Sequence, residues 1–203
     1  MKSVEKEHVV TLDTSRSIWE RFFLVAPLIV VGTKEGDTYN LAPKHMAMPM
    51  SWENYYGFVC APHHKTYQNI EKTGSFAVSY PRPDQVTAAS LTASERQDGP
   101  GLDKPVLERL DTFPATQVEG VFLEDAYVFL ECELERFIDD LGDNSLILSR
   151  VVAAHVHEDA LRVSEQSDQK LVNEEPLLAY LHPGRFASID TTQSFPFPAH
   201  FKK

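Results

Sequence analysis

The chain has 203 residues, 42% of them hydrophobic and 24% charged, with a formal net charge of -11 and a pI near 5.1. That length and balance suit one globular domain over residues 1–203 with a single substantial core, and no apolar run is long enough to cross a bilayer. The acidic balance, with no basic stripe to offset it, excludes a nucleic-acid backbone or an anionic membrane surface as partner.

The first ten residues carry Lys2, Glu5, Lys6, Glu7 and His8 without an apolar h-region, so no secretory signal is expected and cytoplasmic residence is the default. Thr14 or Ser15 can cap a short helix with Ile18, Trp19, Phe22 and Phe23 on one face. The β-branched run 27–33 and the segment 38–41 flank the turn residues Lys34-Glu35-Gly36-Asp37, which predicts a β-hairpin ended by Pro43. Residues 44–52 contain His45, Met46, Met48, Pro49 and Met50, fit neither the helical nor the strand period, and read as extended and partly irregular. Residues 55–60 then read as a buried strand. A two-turn helix over 66–72 follows, with Tyr67 and Ile70 inward and Gly74 as its C′ residue, before another strand at 75–80.

Pro83-Asp84 opens a further helix to about Ser90. Residues 92–104 are polar and contain Gly and Pro, the longest candidate loop, in which Glu95, Asp98 and Asp103 suit a solvated lid. A short helical piece covers 106–110. The remainder is β-rich. Segment 126–137 alternates as a half-buried strand, with Glu131, Glu133 and Glu135 on one face and Leu130, Cys132 and Leu134 on the other. A turn at 139–144 leads into the β-branched run 145–156, and Glu158-Asp159 turns again towards Leu161-Arg162-Val163. Strands 177–181 and 185–189 flank His182-Pro183-Gly184. The Pro- and Phe-rich segment 194–203 is expected on a surface or against a partner subunit. Cys60 and Cys132 each lie in an apolar run and read as small core side chains.

The start of the 66–72 helix offers what a phosphate requires: backbone N–H groups, the Thr66 hydroxyl, and the Lys65 charge beside His63 and His64. Ala61-Pro62 ends the preceding strand, so a ligand there would sit at the mouth between strand and helix. The same residues also suit a plain N-cap and a solvated lysine. His155 and His157 share a strand face with no third ligand at metal-site spacing, so no metal is expected. No GxGxxG, Walker A, HExxH or Gly-x-Ser-x-Gly motif occurs.

Asn40-Leu41-Ala42-Pro43, the strand ending in Ala61-Pro62, Thr66-Tyr67-Gln68-Asn69-Ile70 and Gly74-Ser75-Phe76-Ala77-Val78 occur in one order. This paired signature resembles the flavin reductase-like, FMN-binding split-barrel family, over roughly residues 27–156 with a weaker continuation to Phe186. The resemblance implies a mainly β fold, a six-stranded split β-barrel with peripheral helices, that binds FMN and dimerises near it. It puts Asn40, Pro43, Lys44, His45, Met46, Ala47 and Met48 along the flavin ring and ribityl chain, and Ala61, His63, His64, Lys65 and Thr66 at the phosphate; Met46 and Met48 also suit core filling. Many of the short flavin reductases in this family carry Gly-Asp-His before a strand, with the His assisting nicotinamide binding or hydride delivery; here the run is Gly142-Asp143-Asn144, and Ser149 replaces a glycine. Asn144 cannot titrate near neutral pH, so any acid role at that position is lost. Arg185 falls where it can meet the cofactor or a nicotinamide phosphate, or form a surface salt bridge. The implied activity is hydride transfer from NADH or NADPH to flavin. The alternatives are a flavoredoxin-like electron-transfer protein with a protein redox partner, favoured by Asn144, and a ligand sensor, against which stands the lack of any effector segment.

Overall fold

The computed structural model describes residues 7–96, 104–163 and 167–198. Its strands are β1 (Leu24–Pro27), β2 (Ile29–Glu35), β3 (Thr38–Lys44), β4 (Ala47–Pro49), β5 (Tyr55–Cys60), β6 (Ser75–Tyr80), β7 (Thr112–Pro114), β8 (Val121–Leu123), β9 (Val128–Leu141), β10 (Asn144–Val156), β11 (Leu177–His182) and β12 (Arg185–Ile189). The α-helices are α1 (Lys65–Thr73), α2 (Val86–Leu91) and α3 (Asp168–Glu174).

Seven strands form one antiparallel sheet in the order β3-β2-β6-β9-β10-β5-β4. The two edge strands, β3 and β4, are consecutive in the chain and separated only by His45 and Met46. Two intervening residues let the strand ends lie at most about 11 Å apart, so the sheet must curl until its edges nearly meet, which makes it a split barrel. The junction is pinned by the Val59 N–H, which donates to the Met46 carbonyl at 2.9 Å. The count is seven strands where six were expected, the extra one being the short β4 within the segment read as irregular.

The core explains the sequence pattern of β2, which is apolar at consecutive positions because both its faces are covered. Ile29 and Val31 join Phe58, Phe76, Val78, Cys132 and Ile147 inside the barrel, while Val30 packs outward with Leu41, Ala89, Val121 and Leu123. On that outer face the β7–β8 hairpin crosses β2 closely: a Cβ on Gly32 would lie 1.9 Å from the Val121 carbonyl oxygen. Only glycine admits this approach. A further sheet, β1-β11-β12, lies at the split, with β12 paired to β11 and β11 to β1.

Several expectations are corrected. Residues 14–23 do not form an amphipathic helix; one 3-10 turn, Trp19–Arg21, precedes β1, and Trp19 and Phe23 are exposed. Pro43 does not end the ladder but lies within β3 opposite Val30, permitted because β3 is an edge strand with no outer partner to need its N–H. The N-cap of α1 is His64, not Thr66, and no side chain caps it. Gly74 ends α1 as expected, in the left-handed conformation, donating to the Ile70 carbonyl at 2.8 Å.

Glu131 does not share the solvent face with Glu133 and Glu135; it is 0% exposed. It keeps the alternation of β9, pairing in unbroken register opposite Ala77 of β6, but the loop before β8 covers the carboxylate. Its Oε2 accepts from the Thr116, Gln117 and Val118 N–H groups at 3.0, 2.5 and 3.0 Å, and its Oε1 from the Thr116 hydroxyl at 2.8 Å. His155 Nε2 lies 3.1 Å from Oε1. Burial alone would raise the Glu131 pKa, but the bonds from Gln117, His155 and Thr116 bring it down to about 2.

Candidate functional site

The link between β3 and β4 lies where three clefts meet. The first, about 410 Å³, is lined by Asn40, Pro43 and Lys44 of β3, by His63, His64, Lys65 and Thr66 at the start of α1, and by Thr92, Arg96 and Lys104. The second, about 600 Å³, shares Pro43 and Lys44 with the first and adds His45, residues of α2, Tyr180, Arg185 and Phe186. The third, about 610 Å³, is apolar and contains His45, Met46, Ala47, Met48 and His182. Each volume is in the range that holds a small organic ligand.

In the first cleft, α1 presents the uncapped end of a nine-residue helix, whose leading N–H groups and dipole favour an anion. Thr66 is buried just inside it. The helix is fixed from behind by Asn69, whose Nδ2 donates to Thr33 Oγ1 at 3.0 Å and Glu35 Oε2 at 3.4 Å. Glu35 in turn accepts from Arg96 Nη2 at 2.6 Å, and the same nitrogen donates to Asn40 Oδ1 at 3.1 Å. Asn40 therefore orients a cation from within the barrel wall, where it is 2% exposed.

Lys104 Nζ donates to the Leu41 and Thr92 carbonyls at 3.1 and 2.8 Å, two of its three donors. Burial, together with the Arg96 and Lys44 charges, lowers its pKa to about 8. Burial and then Lys44, His63 and Lys104 hold the His64 imidazole below its ordinary value. Cys60, with Sγ 3.9 Å from His64 Nδ1, is pushed up by burial and is not an activated thiol. Among the described residues no carboxylate lines this cleft, although four cations do: Lys44, Lys65, Arg96 and Lys104.

His45 leaves the strand to stack on His182 at 5.2 Å between centroids, with its ring 4.7 Å from that of Tyr180. Burial, His182 and Lys44 hold its pKa down, so it is neutral at pH 7.

The residues expected to touch one ligand are thus divided. Asn40, Pro43, Lys44, His63, His64, Lys65 and Thr66 line the first cleft, whereas Met46, Ala47 and Met48 face the third. Ala61 is buried behind the mouth, its carbonyl accepting from the His64 N–H at 3.0 Å. Arg185 lines the second cleft; Asn144, exposed opposite Leu141 at the β9–β10 turn, lines none of these clefts. Arg96 and Lys104 went unrecognised in the sequence, where their one sign was a cation near each end of a polar loop. Of that loop's acidic residues, Glu95 is exposed, while Asp98 and Asp103 lie outside the described residues. Among the described residues no group of three or more His, Cys, Asp or Glu could hold a metal, and no helix is long and apolar enough to cross a membrane. His155 and His157 instead meet Glu131 and Asp159.

Residues 21–189 match the family described as the flavin reductase like domain. The chain belongs to that family. Its fold is shared with a flavoredoxin from Methanosarcina acetivorans, at 17% identity and a TM-score of 0.73 over 95% of this chain and 97% of the other. It is also similar to an FMN-binding protein from Thermus thermophilus, at 21% identity and 0.70 over 96% and 99%. The NADH:FAD oxidoreductase SgcE6 of Streptomyces globisporus C-1027 aligns at 18% identity and 0.64 over 81% and 86%. A search of curated proteins finds no match.

Proposed function

We propose that this protein is an FMN-dependent oxidoreductase of the flavin reductase type, using NADH or NADPH as reductant. The observation that carries the reading is the first cleft: a helix start, a buried threonine and four cations with no lining carboxylate among the described residues, in a chain with 30 acidic and 19 basic residues. That donor set suits the dianionic phosphate of FMN. Lys65, Arg96 and Lys104 would hold the phosphate, and the Thr66 hydroxyl would orient it. Residues 44–48 would carry the ring, with backbone N–H and C=O groups at its polar edge and Met46 and Met48 against its apolar surface. Bound flavin supplies the capacity to accept a hydride from a nicotinamide and hand the electrons on. Exposed Trp19, Val25, Met46 and Met48 give the third cleft an apolar lining suited to a second copy of the chain, which supports a homodimer that would exclude water from the ring.

A second reading, an electron carrier of the flavoredoxin kind with FMN held permanently, is favoured by Asn144. That residue has no titratable group and stands apart from the three clefts. Anaerobic addition of NADH and then NADPH to the FMN-loaded protein separates the two, since bleaching of the visible band is expected of the reductase and none of the carrier. The phosphate assignment has its own test. Lys65→Ala combined with Thr66→Val is expected to weaken FMN binding by about ten- to a hundredfold, the loss of one or two charge-assisted hydrogen bonds, with riboflavin affinity unchanged. Equal losses for both ligands would remove the assignment.

A further inference from the structure

The second cleft lies beside the first and differs from it in character. Tyr180, Phe186, Leu28, Val86 and Leu91 give it apolar walls, Thr87 and Ser90 add hydroxyls, and Lys44 and Arg185 are its cations, again with no lining carboxylate among the described residues. Arg185 is exposed, and among the described residues no ion pair involves it. In a chain this acidic, a guanidinium left unpaired at an apolar mouth is arranged to meet an anion from solution. The imidazole pair adds a second indication. His45, which lines this cleft and the third, and His182, which lines the third and stacks on it, carry the buried side-chain polar atoms without a hydrogen-bond partner among the described residues, His45 Nε2 and His182 Nδ1. Native proteins rarely leave such groups unsatisfied, so each calls for an explanation.

We propose that the cleft between α2 and the β11–β12 turn is a separate binding site for a flat-ringed anion, with Arg185 reading its carboxylate or phosphate and its ring lying against Tyr180 and Phe186. Its role as the second substrate's seat rests on the flavin reading of the first cleft, but binding itself does not. The site then sorts second substrates by charge. A neutral ring would enter the same space without the guanidinium's contribution.

Isothermal titration of the wild type and of Arg185→Gln, each without flavin and again after FMN loading, tests this with benzoate, NAD+ and NADP+ as probes; the oxidised nucleotides cannot transfer hydride. At least one probe is expected to bind, with about tenfold or greater weakening in Arg185→Gln at low salt and no change in FMN affinity. A response to benzoate alone identifies a carboxylate ligand; a response to NAD+ or NADP+ identifies a nucleotide phosphate. Equal affinities of both proteins for all three probes, or no binding of any at millimolar concentration, overturns the proposal. Failure of the first cleft's reading shows separately, as wild-type protein that does not bind FMN, and leaves the flavin-free titrations decisive.

Discussion

Replacing Glu131 by Gln keeps the size of the side chain and removes its charge, and the structure sets the consequence. Both oxygens accept hydrogen bonds, Oε2 from three consecutive backbone N–H groups and Oε1 from the Thr116 hydroxyl and His155. An amide in either orientation turns its own NH2 towards donors. The carboxyl's pKa falls from an ordinary 4.5 to about 2, and at about 1.4 kcal/mol for each pH unit the ionised group stabilises the fold by on the order of 3 kcal/mol. The sign follows from the depressed folded value: this stability is present above pH 4.5 and is lost as pH falls towards 2. Urea unfolding followed by fluorescence is expected to show Glu131→Gln about 3 kcal/mol less stable at pH 7, a midpoint shift of roughly 1 to 1.5 M. The difference should narrow by about 60% at pH 3. A difference under about 1 kcal/mol at pH 7, or one that does not change between pH 6 and pH 3, would refute the reasoning.

Lys104, held at about 8 in the free protein, should regain its proton when a phosphate dianion binds beside it, so FMN affinity is expected to decline as pH rises from 8 towards the ordinary lysine value. Riboflavin, which shares the ring's own titration, serves as the control, and Lys104→Gln should abolish the excess pH dependence. Gly32→Ala places a Cβ 1.9 Å from a backbone carbonyl oxygen that cannot move without displacing the β7–β8 hairpin; a loss above about 3 kcal/mol, or failure to fold, is expected by thermal melting. Gly36→Ala is the comparison: its φ is +58° and nothing lies near the added atom, so only the backbone strain of about 1 kcal/mol should appear.

The local elements were legible because each follows from neighbours in sequence. Gly36, Gly142 and Gly184 take positive φ in turns that the polar residues around them already announced, and Gly74 ends α1 where the helical period stops. The order of the four motifs also pointed to the family to which residues 21–189 belong. The aromatic residues before β1 misled because their helical spacing was read without knowing that no core lies beneath them. What only the tertiary structure decided was which distant groups meet. Arg96 and Lys104 reach the start of α1 only because β2 and β3 bring Glu35, Asn40 and Leu41 to them. The chain's own alternation put Glu131 in solvent, and a loop 13 to 15 residues earlier buried it. Periodicity records the surroundings of one strand or helix. It carries no information about a second segment arriving to cover a polar face, and that arrival is what gives the site its cations and the barrel its buried carboxylate.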